Sequence, residues 1–259
     1  MKNLIHELAI IETGAQIGKN VTIGPWTYIS KDVVIGDNCH ISSHVVINGP
    51  TRIGTGNRIF QFASIGEDCQ DLKYAGEATE LIIGDNNTFR ECCTIHRGTI
   101  QDQGITAIGS NNLFMAYTHV AHDCMVGSHC IMANNASIAG HVHVGDHAIL
   151  GGMSGIHQFC HIGAHSFVAA NSLVVKDVPP YVMASGDSAK PFGLNSEGLK
   201  RRGFAKDTIS AIKKAYRMVY RQSLTVDEAL TKIDNELAES SELAKFTDFI
   251  KSSSRGIIR

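Results

Sequence analysis

The chain has 259 residues, 43% of them hydrophobic, which allows a sizeable buried core and one or two domains. Its 23 Lys and Arg residues nearly balance 25 Asp and Glu, and a net charge of −2 gives no global field that would attract nucleic acid or a membrane. No run reaches about 18 apolar residues, and the first residues lack the apolar run of a signal peptide. We therefore expect a cytoplasmic protein without an integral membrane segment.

Isoleucine recurs every six residues through the first quarter of the chain. These rungs are Ile5, Ile11, Ile17, Ile23, Ile29, Ile35, Ile41, Ile47, Ile53, Ile59 and Ile65. A helix repeats its apolar face near 3.6 residues and a coiled coil near 3.5, so neither explains the spacing. A glycine often follows the rung, as at Gly18 and Gly36, which suits a turn or crowded backbones. The pattern is typical of a β-helix built from hexapeptide repeats.

Two polar segments, near residues 67–80 and 97–107, interrupt this ladder. Between them the rungs Ile83, Phe89 and Ile95 keep the original phase, and after the second segment the phase shifts by one residue. The later rungs are Ile108, Phe114, Val120, Val126, Met132, Ile138, Val144, Leu150, Ile156, Ile162, Val168 and Val174. Loops that leave a solenoid at a corner often carry function. We expect Pro179 and Pro180 to end the ladder, because proline cannot donate a strand hydrogen bond.

The last quarter of the chain has helical periodicity. We expect an irregular linker over 181–206, a helix from Asp207, a second helix near Thr225 and a third over about 241–251. The prediction is therefore a mainly β protein in two parts. Residues 1–186 form the β-helix, and residues 187–259 form a small α-helical domain.

Five of the seven cysteines stand two residues before a rung, at positions that also face inward. They are Cys39, Cys93, Cys124, Cys130 and Cys160. Buried free cysteine behaves as a small hydrophobe, and in a reducing compartment we expect no disulfides. Cys124 as a nucleophile is the alternative, which its inward position disfavours.

Nine of the 13 histidines lie between His119 and His165. His129, His147 and His165 are 18 residues apart, so three hexads per coil would stack them about 4.8 Å apart. Such a column is either a metal site or the repeated use of a tolerated residue, and we expect no metal.

His122 falls two residues after the rung Val120, at a corner and beside Asp123. Adding 18 gives Gly140, and adding 36 gives Gln158, so these residues should stack along one edge. A histidine with a neighbouring carboxylate suits a general base, and the N–H of a glycine suits a developing oxyanion. The alternative is a structural or surface histidine.

Basic residues concentrate between Lys190 and Arg221, where nine Lys and Arg stand against two acidic residues. This stretch is either a solvated helix face or a dock for an anionic partner or phosphate.

Several short runs are more specific than the repeat. They are 70–76 (QDLKYAG), 94–99 (TIHRGT), 119–124 (HVAHDC), 139–142 (AGHV), 151–153 (GGM), 156–159 (IHQF), 177–181 (DVPPY) and 197–204 (EGLKRRGF). Together they resemble the UDP-N-acetylglucosamine O-acyltransferases, from near residue 10 to Arg259. The resemblance implies a left-handed β-helix with three sides per coil and a homotrimer with active sites between subunits. It also implies transfer of an (R)-3-hydroxyacyl group from acyl carrier protein to the sugar 3-hydroxyl, the first step toward lipid A, without a cofactor or an acyl-enzyme.

The same resemblance implies roles for individual residues. His122 would be the general base, Asp123 would support it, and the Gly140 N–H would hold the oxyanion. Ala170 would lie in the acyl-chain slot, where some relatives carry glycine, and its methyl group would shorten the slot. The residues expected to bind sugar, nucleotide or carrier are Gln70, Asp71, Lys73, His96, His119, His141, His157, Gln158, Asn195, Glu197, Arg201 and Arg202.

Two other classes of function stay open at this point. The many histidines also suit a zinc carbonic anhydrase of the hexapeptide type, which the metal content would reveal. The third hypothesis is a β-helix scaffold without catalytic activity that binds acyl carrier protein through its basic helices.

Overall fold

Over its described residues, the chain winds into a parallel β-helix followed by four α-helices. The structure, a computed structural model, describes residues 4–238 and 240–259. Residues 1–3, at the start of the predicted first domain, lie outside the described residues. Where no loop intervenes, each strand pairs with the strand one coil later, so that Leu4 lies opposite Thr22 and Ile5 opposite Ile23. The predicted coil of three hexads is confirmed.

The described residues contain 28 short strands, of which all but the last belong to the parallel coils. In chain order they are β1 (Leu4–Ile5), β2 (Ile10–Ile11), β3 (Gln16–Ile17), β4 (Thr22–Ile23), β5 (Tyr28–Ile29), β6 (Val33–Ile35), β7 (His40–Ile41), β8 (Val46–Ile47), β9 (Thr51–Ile53), β10 (Arg58–Ile59), β11 (Ser64–Glu67), β12 (Glu80–Ile83), β13 (Thr88–Phe89) and β14 (Thr94–His96). They continue as β15 (Ile105–Ile108), β16 (Leu113–Phe114), β17 (His119–Val120), β18 (Met125–Val126), β19 (Ile131–Met132), β20 (Ser137–Ile138), β21 (His143–Val144), β22 (Ile149–Leu150), β23 (Gly155–Ile156), β24 (His161–Ile162), β25 (Phe167–Val168), β26 (Leu173–Val174), β27 (Val182–Ser185) and β28 (Lys190–Leu194).

The strands stack into three sheets, one on each side of the coil. Sheet A has 11 strands in the order β1-β4-β7-β10-β13-β16-β19-β22-β25-β27-β28. Sheet B has nine, β2-β5-β8-β11-β14-β17-β20-β23-β26, and sheet C has eight, β3-β6-β9-β12-β15-β18-β21-β24. The chain runs from A to B to C and back to A, so the helix has an A–B corner, a B–C corner and a C–A corner.

Left-handed backbone conformation marks these corners, three residues after an inward rung. Asn20, Asn38 and Asn111 have φ angles of 57°, 60° and 61° at such positions. Asparagine tolerates this conformation better than most residues. The six-residue repeat is thus a two- or three-residue strand followed by a corner.

Glycine follows many rungs because successive coils approach too closely there for a side chain. A Cβ atom on Gly36 would lie 2.7 Å from the carbonyl carbon of Gly54 in the next coil. The predicted role of crowding is therefore confirmed.

The rung residues from Ile23 onward form one buried core along the β-helix, and Ile11 and Ile17 pack against it half-buried, whereas the first rung, Ile5, is 42% exposed. Ile23, Ile41 and Ile59 are each 1% exposed, and Phe89 stacks on Phe114 with ring centroids 4.8 Å apart. All five cysteines predicted to face inward are buried. Burial of apolar surface is the main favourable term in folding, so this ladder stabilises the rigid frame for the corners.

Both interruptions of the ladder leave from the B–C corner. The first loop, residues 68–79, follows β11 of sheet B and returns in β12 of sheet C. The second loop, residues 97–104, follows β14 and returns in β15, so it is shorter than predicted. Two neighbouring coils thus project their loops from the same edge.

The predictions for residues 177–206 need correction. The prolines do not end the ladder, because β27 beyond them pairs in parallel with β25, and β28 then pairs antiparallel with β27. The expected irregular linker contains these strands and a helix, α1 (Ser196–Arg201), whose N-cap residue Asn195 accepts a hydrogen bond from the Gly198 N–H. The predicted division after residue 186 stays a prediction.

Three longer helices complete the chain, as predicted. They are α2 (Lys206–Arg221), α3 (Val226–Glu236) and α4 (Ser241–Ser252). Thr225 and Glu228 form a capping box at the start of α3. Among residues 4–238 and 240–259, no helix is both long and apolar enough to cross a bilayer.

Candidate active site

His122 lies at the B–C corner between β17 and β18, two residues after the buried rung Val120. Its Nδ1 atom is 2.8 Å from Oδ2 of Asp123. Because an ionised carboxylate only accepts hydrogen bonds, Nδ1 carries the proton. The Nε2 atom of neutral His122 then has a lone pair, which is the form a general base needs.

Asp123 is buried at the left-handed corner position, with φ of 58° and a side chain that is 1% exposed. Its carboxylate accepts hydrogen bonds from the Thr99 N–H at 2.8 Å and the Thr99 hydroxyl at 2.6 Å, besides that from His122. Burial acts to raise the pKa of Asp123, but the hydrogen bonds from His122 and Thr99 together outweigh it and lower the pKa below its usual value. Asp123 therefore stays ionised and fixes the ring of His122.

Gly140 lies one coil beyond His122 and touches its ring. A Cβ atom on Gly140 would lie 2.5 Å from Cε1 and 2.6 Å from Nε2 of His122, so only hydrogen fits there. Within the described part of the chain, the N–H of Gly140 donates no hydrogen bond. An unpaired backbone donor thus lies beside a histidine that can accept a proton.

A groove of about 490 Å³ runs over the outer face of sheet B next to this corner. It brings together eight of the predicted site residues, namely Gln70, Asp71, His96, His119, His122, Gly140, His157 and Gln158. Other lining residues were not predicted, among them Ser137, Gly155 and Leu173. These three continue the outward position of His119 at intervals of 18 residues, so the repeat itself contained the signal that would have found them.

His96 and His119 line the groove near the first loop and form its floor there. The rings of His96 and His119 meet edge to face with centroids 5.0 Å apart, and Nδ1 of His119 lies 2.7 Å from the hydroxyl of Thr94. Burial, and then the nearby charge of His119, lower the pKa of His96 to about 4. Burial likewise lowers the pKa of His119, with His122 adding to the effect. Both rings are neutral near pH 7 and offer hydrogen bonds without charge.

A buried arginine holds the first loop against this floor. The guanidinium of Arg97 donates to the carbonyl of Gly66, to the carboxylate of Asp68 and, at 3.1 Å, to the hydroxyl of Tyr74. Arg97 was not predicted to act here, although it lies within the 94–99 run. Its contacts explain how Gln70 and Asp71, which are part of the loop, reach the groove.

His141 lies beside the groove rather than in its lining. Its ring stacks on Phe159 with centroids 4.4 Å apart and stands at 90° to the ring of His122 at 5.0 Å. Its Nδ1 atom is 3.0 Å from Oδ2 of Asp102, a residue of the second loop. The corner thus carries a cluster of two histidines and two carboxylates.

The remaining predicted residues lie elsewhere in the same chain. Asn195 donates to the carbonyl of His165 at 2.9 Å, and Arg202 donates to the carbonyl of His147 at 3.0 Å, which places both at the C–A corner. Glu197, Arg201 and Lys73 are exposed, and Glu197 pairs with Lys200 at 2.7 Å. Ala170 is exposed at the A–B corner after β25.

Among the residues that the structure describes, one group of side chains has spacing compatible with a metal ion. The ligand atoms of His122, Asp123 and His141 all lie within 4.8 Å of one another. The hydrogen bond between His122 and Asp123 and that between His141 and Asp102 account for this proximity without an ion. The rings of His129, His147 and His165 stack 4.7 Å apart, and nearly parallel rings do not converge their nitrogen lone pairs on one point. A metal-free site stays our prediction.

Two family models match the chain. Residues 177–258 match the model described as UDP N-acetylglucosamine O-acyltransferase, domain 2, and residues 14–49 and 106–140 match the bacterial transferase hexapeptide model. Together these matches include parts of the β-helix and the helical segment.

Solved structures resemble the chain over nearly its whole length. LpxA from Acinetobacter baumannii is 52% identical, with 99% of this chain and 100% of that chain covered and a TM-score of 0.96. UDP-N-acetylglucosamine O-acyltransferase (LpxA) from Moraxella catarrhalis is 52% identical, with 98% and 99% covered and a TM-score of 0.96. LpxA, a UDP-N-acetylglucosamine acyltransferase from Bacteroides fragilis, is 44% identical, with 99% and 100% covered and a TM-score of 0.97.

Proposed function

Because the chain belongs to the UDP-N-acetylglucosamine O-acyltransferase family, we propose that it moves an (R)-3-hydroxyacyl group from acyl carrier protein to the 3-hydroxyl of UDP-N-acetylglucosamine. In this proposal the reaction is the first step of lipid A synthesis and takes place in the cytoplasm. The observation that carries the chemistry is His122, held by buried Asp123 and covered by Gly140 at the edge of the groove.

In the proposed mechanism His122 acts as the general base. Its Nε2 atom takes the proton of the sugar 3-hydroxyl while the oxygen attacks the thioester carbonyl. The Gly140 N–H stabilises the negative charge that develops on the carbonyl oxygen. The tetrahedral intermediate then collapses, the carbon–sulfur bond breaks, and protonated His122 returns its proton to the carrier thiolate. Asp123 stabilises the imidazolium between these two transfers.

Direct transfer, without an acyl-enzyme, agrees with the burial and the raised thiol pKa of Cys124, which follows Asp123 in the chain. Cys124 is fully buried, and burial raises the pKa of its thiol to about 12. A thiolate is the reactive form of cysteine, so this side chain is a poor nucleophile near neutral pH.

The sugar and its nucleotide are assigned to the groove and to a second copy of the chain. The groove offers hydrogen-bonding groups from Gln70, Asp71, His96, His119, His157 and Gln158. Asn195, Glu197, Arg201 and Arg202 belong to the C–A corner or to α1, away from the B–C corner that carries His122. A neighbouring copy would supply those residues, and Lys73 on the first loop, exposed in the single chain, would meet the nucleotide at the same boundary.

This division supports a homotrimer. A contact between the B–C corner of one copy and the C–A corner of the next joins two different surfaces, and such head-to-tail contacts close into a ring when the rotation allows it. Three copies would then form three equivalent sites, each incomplete without its neighbour.

The donor side of the site is assigned to the C-terminal helices and to Ala170. The apolar face of α2 is buried. The other face of this helix exposes Lys206, Lys213, Lys214 and Arg217 to solvent. A basic exposed face suits an acidic carrier protein. The methyl group of Ala170 would limit the length of acyl chain that the slot accepts.

A direct assay tests this function. Purified protein is incubated with a series of (R)-3-hydroxyacyl carrier thioesters of increasing chain length and UDP-N-acetylglucosamine, and the O-acylated sugar nucleotide is measured by mass spectrometry. We expect product with one preferred chain length, and no product from the 3-deoxy sugar nucleotide. Tight carrier binding without any product would instead support a scaffold, and product from the 3-deoxy sugar would place the acyl group elsewhere.

A further inference from the structure

The second loop contacts the His122 cluster at two points. Thr99 donates its N–H and its hydroxyl to Asp123, one coil above the origin of the loop. Asp102 accepts from His141, a further coil up, at 3.0 Å. The loop therefore spans two coils at the B–C corner, and one of its contacts, that of Asp102, has no part in the mechanism above.

We propose that Asp102 is a positioning residue that fixes the ring of His141 and thereby reserves the carboxylate of Asp123 for His122. The inference rests on the proposed function where it concerns the rate of acyl transfer. The part that concerns the proton of His141 is independent of it.

Hydrogen-bond chemistry gives the first step. A carboxylate has no proton to donate, so Nδ1 of His141 must carry the hydrogen that reaches Asp102. In the neutral ring Nε2 then bears no proton. Nε2 lies 3.9 Å from Oδ2 of Asp123, beyond hydrogen-bond distance. Asp102 thus selects the tautomer in which His141 does not donate to Asp123.

Packing gives the second step. Phe159 lies parallel to the ring of His141, at 10° and 4.4 Å between centroids, so it fixes the plane of that ring. Stacking still allows a half-turn of the ring about its Cβ–Cγ bond, which keeps the plane and exchanges Nδ1 with Cδ2. The hydrogen bond from Nδ1 to Asp102 selects one of these two orientations. Only 13% of the His141 side chain is exposed, so few other positions are open to the ring.

Without Asp102, His141 would compete with His122 for the carboxylate of Asp123. The same Oδ2 atom of Asp123 lies 2.8 Å from Nδ1 of His122 and 3.9 Å from Nε2 of His141. Without Asp102, the Nε2–H tautomer of His141 becomes available, and a movement of about 1 Å brings it within hydrogen-bond distance of that oxygen. His122 then shares its partner and loses part of its orientation.

The test compares Asp102→Ala and Asp102→Asn with two control variants, Gln101→Ala and Gln103→Ala, at exposed positions on the same loop. The protonated nitrogen of His141 is read by NMR on protein labelled with ¹⁵N-histidine, with the His141 signal identified by its loss in His141→Gln. With the pH chosen so that the ring is neutral, we expect Nδ1–H in the wild type and a shift toward Nε2–H in Asp102→Ala. We expect kcat/KM to fall about tenfold, as for loss of one hydrogen bond to a charged group.

The conservative variant separates hydrogen bonding from charge. In Asp102→Asn the amide oxygen still accepts from Nδ1–H, so we expect the tautomer to be kept and kcat/KM to stay within about threefold of the wild type. An unchanged His141 tautomer in Asp102→Ala would overturn the inference, and so would an equal loss of activity in the two glutamine controls. Absence of acyl transfer by the wild type would refute the proposed function, while the NMR result would still decide the position of the proton.

Discussion

Gly140→Ala is expected to damage catalysis while leaving the fold intact. The added methyl carbon would lie 2.5 Å from Cε1 and 2.6 Å from Nε2 of His122. An ordinary carbon contact needs about 3.5 Å, so the ring must move by roughly 1 Å. A displacement of this size costs on the order of 100-fold in rate when it affects a reacting group. The backbone N–H of residue 140 remains, so the loss reports the position of the base rather than the loss of the oxyanion donor.

The assay measures kcat/KM for acyl transfer and Tm on the same preparations. Gly193→Ala is the matched control, because a Cβ on Gly193 meets no atom within 4 Å. We expect kcat/KM to fall about 100-fold in Gly140→Ala and to stay unchanged in Gly193→Ala, with Tm similar in both. Activity within about threefold of the wild type in Gly140→Ala would refute the contact between this position and the working base.

Three further outcomes follow from particular side chains. The pKa of His96 is lowered to about 4, chiefly by burial, so the unfolded chain binds more protons than the folded chain between about pH 6.5 and pH 4. Stability therefore falls on acidification through this range, and His96→Gln should flatten the dependence of Tm on pH; parallel curves would contradict this. Arg97→Lys should raise KM for UDP-N-acetylglucosamine about tenfold with little change in kcat, because Lys cannot reproduce the three contacts of the guanidinium. The control is Arg52→Lys, in an exposed ion pair, which should leave both KM and kcat unchanged. Ala170→Gly should shift the preferred acyl chain toward greater length, and an unchanged or shorter preference would sink the slot assignment.

The fold follows from the sequence wherever the repeat sets the geometry. Six residues make one strand and one corner, so each rung residue, such as Ile41 or Phe114, has only one direction in which to be buried. Past Val174 the repeat stops, and local pattern no longer decides the structure. Strands β27 and β28 form because they pair with β25 and with each other, and the short α1 depends on the cap supplied by Asn195. Such pairings are tertiary, which is why the expected linker was wrong.

The site divides in the same way. Counting 18 residues from His122 gives Gly140, and their contact is a direct consequence of the coil. The same count from His119 gives Ser137 and Gly155, which line the groove although they were not predicted. The contacts of the two loops have no such rule, because a loop outside the repeat takes its conformation from groups far apart in sequence. One example is the pair of hydrogen bonds that Thr99, on the second loop, donates to Asp123.

The most direct test of the proposed chemistry is the rate of acyl transfer by His122→Ala. Loss of a general base is expected to lower kcat by roughly 10²–10⁴. Binding of UDP-N-acetylglucosamine should change little, and His40→Ala, which alters an exposed histidine on sheet A, should leave the rate unchanged. A His122→Ala enzyme that keeps acyl transfer to within about tenfold of the wild-type rate would contradict the assignment of His122 as the base.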